Sequence, residues 1–183
     1  MIWDLPTSIE IRGTEYTIRS DYRDILEICI ALDDPELSEA EQALVAIGIF
    51  YPDIDDMPQE HIEEAIKKCF EFISGGSYYG SGQKSPKLVD WEKDFRIIVA
   101  PVNRVMGKEI RALEYLHWWT FLSAYNEIGG DCTFAQVVSI RDKQARHKTL
   151  DKQEKEWLRR NRELVEIKRK YTEAEEELIK QWT

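Results

Sequence analysis

Residues 109–128, EIRALEYLHWWTFLSAYNEI, lie between Gly107 and the pair Gly129 and Gly130. Wound at about 100° per residue, the stretch puts Ile110, Leu113, Leu116 and Phe121 on one side. Tyr115, Trp118, Trp119, Leu122 and Tyr125 then fall round the other. A helix that is apolar nearly all round is buried on most of its faces, and the polar members Glu114, His117, Ser123 and Asn126 form no solvent stripe. The stretch therefore predicts the central helix of a mostly α domain, with Leu116, Trp118, Trp119, Phe121, Leu122 and the downstream Phe134 as its structural core.

Upstream, Ile9 to Arg12 and Glu15 to Ile18 alternate apolar and polar residues about Gly13, which reads as a small β-hairpin. Ser20 is expected to cap a helix from Asp21 to about Leu32. Ser38 and Glu41 have the spacing of a capping box opening a second helix that reaches about Phe50. Pro58 marks the start of a third, running to about Ile73 with Ile62, Ala65, Ile66, Cys69, Phe70 and Ile73 inward. Residues 74–86, SGGSYYGSGQKSP, have no means of burying a core and read as a linker. A helix from Asp90 to about Arg104 should bury Trp91, Phe95, Ile98, Val99 and Val102, with Pro101 kinking or ending it. Thr133 should cap another through about Arg146. One long charged helix is expected to the end of the chain. The organisation expected is thus 1–74, hairpin plus acidic helices; 75–87, linker; 88–150, helical core; and 151–183, charged amphipathic helix.

Within the last segment Trp157, Leu164, Tyr171 and Leu178 recur at seven-residue spacing. The complementary seam positions Asn161, Lys168 and Glu175 are polar, so a self-standing coiled coil is not supported. These four residues are the candidate partner-binding stripe, with capping of the protein's own core as the open alternative. Charge sharpens the choice: no Lys or Arg stands between Arg23 and Lys67, whereas residues 141–170 are rich in both, although the chain as a whole carries a net charge of −10. Such halves can pair within a chain, between copies or with a partner.

Cys29, Cys69 and Cys132 are too far apart and too few for a disulfide framework or a zinc knuckle, and a reducing cytoplasm is the expected compartment. Asp53, Asp55 and Glu64 mimic part of a calcium loop, but Pro58 stands where the turn needs Gly. His61 and Glu64 read as a surface pair, and His117 as a packed, hydrogen-bonded histidine without a nucleophile or carboxylate placed beside it. The glycines of the linker form neither a P-loop nor a dinucleotide fingerprint. No catalytic, cofactor-binding or metal-ligating residue is therefore assigned, and no cofactor is expected. Nothing resembles a membrane span or signal peptide.

The run Tyr115-Leu116-His117-Trp118-Trp119-Thr120-Phe121, followed by Thr133-Phe134, Val137, Val138, Ile140 and Arg141, resembles the centre of the bacteriophage gene-product-fifteen family. Asp90, Asp94, Ile97, Ile98 and Gly107 match an aspartate-rich helix and turn upstream. The likeness is strong over residues 85–160 and looser before them. It implies a non-catalytic tail assembly chaperone, whose partners would be the tape measure protein and the tail tube protein, with self-association expected. Minor structural tail or connector proteins are the alternative within the same setting. A nucleic-acid-binding role through Trp157, Arg159, Arg160 and Arg162 is a further one, opposed by a pI of about 4.9. An enzyme ranks last.

Overall fold

The computed structural model describes residues 4–76 and 86–167. Its order is β1 (Ser8–Ile11), β2 (Thr14–Thr17), α1 (Tyr22–Ala31), α2 (Glu39–Phe50), α3 (Ile62–Ile73), α4 (Trp91–Met106), α5 (Trp118–Asn126), α6 (Thr133–Ala145), α7 (Lys152–Arg160) and α8 (Arg162–Val165). The protein is mostly α with a small N-terminal antiparallel hairpin. The chain divides into two compact units. Unit 1 takes the described residues of Met1–Gly80 with Tyr115–Thr120, and unit 2 those of Ser81–Glu114 and Phe121–Lys168. Helix α5 gives its first three residues to unit 1 and the rest to unit 2.

Local chemistry explains most of unit 1. Arg12 and Gly13 both take positive φ, 49° and 81°, the geometry of a two-residue turn matched to strand twist. Ser38 and Glu41 exchange the two bonds of the capping box, and α2 runs over the expected residues. Carboxylate 41 is held below its ordinary range chiefly by the Ser38 hydroxyl, then by the Ser38 backbone N–H. Asp21, not Ser20, caps α1, its carboxylate accepting from Arg23 N. Pro58 leads into a 3-10 turn at Gln59–His61, and α3 follows it. The inward face of α3 is Ala65, Cys69 and Phe72, while Ile62, Ile66, Phe70 and Ile73 are half-buried.

The stretch that predicts a single central helix is not one. Within 109–128, Ile110–Ala112 is a 3-10 turn, the chain is extended near His117, and only Trp118–Asn126 is helical. The reason is competition for hydrogen bonds from the far N-terminal segment. Leu116 N donates to the Asp21 carboxylate at 2.9 Å, Tyr22 N to Leu116 O at 2.9 Å and Trp118 N to Ser20 O at 2.7 Å. These form an antiparallel bridge between Asp21 and His117, so the backbone groups that would close the helical turns are engaged elsewhere.

Unit 2 brings α4, α6 and α8 together, and Val137, Ile140 and Val165 form a buried cluster. Helix α4 continues through a buried Pro101 to Met106 and stops at Gly107, whose φ is 67°. Pro101 lacks the N–H that would bond four residues back, but the helix continues past it, with Ile98, Val99 and Val102 buried around it. The cap of α6 is Cys132, whose sulfur accepts from Ala135 N, rather than Thr133. The long helix expected over 151–183 is interrupted at Asn161 and exits from helical geometry at Glu166, while residues 168–183 lie outside the described ones.

Candidate partner-binding surface

Of the residues named from sequence as core, Leu116, Trp118, Phe121 and Phe134 are buried, and Trp119 and Leu122 are half-buried. In unit 1 the tryptophan pair has a specific task. A helix leaves its last carbonyls without intrahelical donors, and the Trp118 and Trp119 indole N–H groups donate to Ile73 O and Phe72 O, at 2.9 and 2.8 Å. Trp119 also stacks on Phe72 with ring centres 5.4 Å apart. The His117 ring locks the turn between them. Its Nδ1 accepts from Trp119 N at 3.0 Å, so Nε2 carries the proton and donates to Pro6 O at 3.0 Å. Burial lowers the His117 pKa below its ordinary 6.5, which keeps the ring neutral in this role.

His61 is not a surface pair with Glu64. It is buried, its Nδ1 lies 2.8 Å from the Tyr16 hydroxyl, and Glu64 instead faces Arg12 at 3.8 Å. Cys29 and Cys69 are also withdrawn from chemistry, since burial pushes both thiols up to about 12. Among the described residues no group of three or more His, Cys, Asp or Glu side chains could hold a metal ion. An open groove of about 480 Å³ in unit 2 is lined by Arg96, Ile97, Ala100, Pro101, Arg104 and Thr133, and Arg104 is paired with Asp131 at 3.2 Å.

In unit 2 the organising group is Arg141. Its guanidinium donates to both oxygens of Asp94, to Leu88 O, to Leu164 O and to Val165 O, at 2.5–3.0 Å. Asp94 in turn accepts from Asp90 N at 3.0 Å. Both side chains are almost wholly enclosed, 4% and 1% exposed. The carbonyls of Leu164 and Val165 are available to Arg141 because α8 ends there. Sequence reading placed Asp94 and Arg141 in one motif without indicating that they meet.

The stripe Trp157, Leu164, Tyr171 and Leu178 divides. Trp157 and Leu164, with Leu158 and Leu150, pack on the Val137, Ile140 and Val165 cluster of unit 2. Tyr171 and Leu178 lie outside the described residues. Trp157 is thus engaged by its own unit and not offered for stacking on a base.

An open apolar surface is found instead on α2, which no sequence argument singled out. Ala40, Leu44 and Gly48 succeed one another every four residues along its exposed side, flanked by Glu41 and Val45. Leu44 is 57% and Val45 36% exposed. Gly48 has nothing within 4 Å of where a Cβ would stand, so no contact among the described residues calls for a glycine there. The available signal was that residues 43–50, ALVAIGIF, carry no polar side chain. A helix apolar on every side is normally covered on every side.

The class these features define is a mostly helical protein with, among its described residues, an apolar face of α2 left uncovered. The chain belongs to the Bacteriophage Gp15 protein family, whose model matches residues 1–167. No curated protein and no solved structure matches it. It is a bacteriophage protein, and among its described residues no helix is long and apolar enough to cross a membrane.

Proposed function

We propose that the protein is a non-catalytic tail assembly chaperone that works in the cytoplasm of the bacterial host, binding the tape measure protein while tail tube subunits assemble. Membership of the Bacteriophage Gp15 protein family carries the reading. Two features of the molecule support it. The family-like motif residues are occupied in packing: Trp118 and Trp119 close the end of α3, and Asp94 and Arg141 bind each other. The apolar surface exposed among the described residues includes the adjacent pair Leu44 and Val45 on α2, the kind of surface that shields another protein's exposed helices.

The experiment is co-expression of the full chain with fragments of the tape measure protein of the same phage, followed by nuclease treatment and affinity capture. Retention that survives nuclease is expected. Retention lost with nuclease, together with salt-sensitive nucleic acid in the eluate, refutes the reading in favour of the basic segment binding nucleic acid.

A further inference from the structure

Helix α2 lies between α1 and α3 in unit 1, packing on both, and buries Ala46, Ile47 and Phe50 towards them. Its opposite side has the geometry of a helix-docking face. Ala40, Leu44 and Gly48 form one ridge row at four-residue spacing, with Val45 beside it, and rows of this kind are what a second helix packs against. Gly48 is the unexplained member. A glycine inside a helix is destabilising relative to alanine by about 1 kcal/mol, and among the described residues nothing around Gly48 requires it. A partner whose backbone approaches closely does.

The rim decides what that partner is. Glu39 stands exposed at the first turn of α2, and Asp53, Asp55 and Asp56 stand exposed after its last. Arg19 is used at the helix end, donating to Ile49 O at 2.7 Å. A second copy placed face to face would set acidic rim against acidic rim, and nucleic acid or an anionic membrane would meet the same repulsion. A cationic helix meets complementary charge at both ends.

We infer that the α2 face around Leu44, Val45 and Gly48 is the client-docking site, and that it takes an amphipathic α-helix with an apolar stripe flanked by Lys or Arg. This rests on the chaperone reading for the identity of the client, not for the chemistry of the surface.

The test uses the full chain and two synthetic helical peptides sharing one leucine stripe, one flanked by lysines and the other by glutamates. The lysine peptide should bind and weaken as salt rises, and the glutamate peptide should not bind. Leu44→Gln and Gly48→Gln should each weaken the lysine peptide by about tenfold or more, because each removes apolar contact or blocks close approach. Leu44→Gln should melt close to the wild-type midpoint, since Leu44 is mostly exposed and Gln is about as good a helix former as Leu, and Gly48→Gln at or above it, since Gln is a better helix former than Gly. Equal binding of the two peptides, or wild-type affinity in both variants, overturns the inference. So do variants that alter only the sedimentation of the free chain, which would assign the face to a second copy. The tape measure fragment separates the two readings. If the double variant captures it as well as wild type, the surface is wrong and the chaperone function stands. If wild type fails to capture it while the lysine peptide still binds through Leu44, the surface stands and the chaperone function fails.

Discussion

Replacing Asp94 by Asn tests the centre of unit 2 with almost no change of shape. The carboxylate neutralises a guanidinium whose side chain is only 4% exposed, and it accepts two of the five bonds Arg141 makes. Asn keeps one acceptor but turns an N–H₂ towards another donor and leaves the buried cation uncompensated. Breaking a buried pair from one side costs about 3–5 kcal/mol. For a chain of this length, at roughly 2–4 °C per kcal/mol, the midpoint of the unit 2 transition should fall by roughly 6–20 °C. Arg141→Met combined with Asp94→Leu removes both charges and should recover part of the loss. Recovery is incomplete because Leu88, Leu164 and Val165 carbonyls then lack their donor, each lost bond being worth about 1 kcal/mol. Thermal and urea unfolding followed by circular dichroism gives the numbers. An Asp94→Asn protein melting within about 2 °C of wild type would refute the argument, since it would mean that water reaches the pair.

Trp118→Ala should destabilise unit 1 by about 3–5 kcal/mol, since it empties a buried site and strips Ile73 O of its donor, and a wild-type melt would disprove the assignment. His117 has a depressed pKa in the folded state, so its contribution is complete above the unfolded value of 6.5 and is lost as pH falls through the lower folded value. His117→Asn, which preserves an acceptor for Trp119 N, should therefore show a smaller decline of melting midpoint on acidification than wild type; equal declines would exclude the histidine as their source. Truncation after Leu150 should abolish the cooperative melt of unit 2, because Trp157, Leu158, Leu164 and Val165 cover Val137 and Ile140; a soluble, cooperatively melting product would restore the stripe to a docking role.

Features decided within a few residues were legible in the sequence. The hairpin, the Ser38 to Glu41 box and the helix after Pro58 depend on backbone angles and caps that neighbours supply; the box stands where the residues placed it, the hairpin strands lie one residue earlier than expected, at Ser8–Ile11 and Thr14–Thr17, and α3 begins at Ile62 after a 3-10 turn. Trp118, Phe121 and Phe134 are buried, as large apolar side chains tend to be, whereas Tyr115 in the same stretch is 52% exposed. Tertiary structure alone decided the rest. Residues 113–117 leave the helix because Ser20 and Asp21, the latter 95 positions from Leu116, offer their backbone better partners than the next helical turn does. His61 is buried because Tyr16 arrives from the hairpin, and Asp94 and Arg141 become one group because α4 and α6 pack together. The α2 face belongs to the same class. Its apolar residues were visible one by one, but exposure is a property of what fails to pack against them, and only the assembled unit shows that Leu44 and Val45 are left to the solvent.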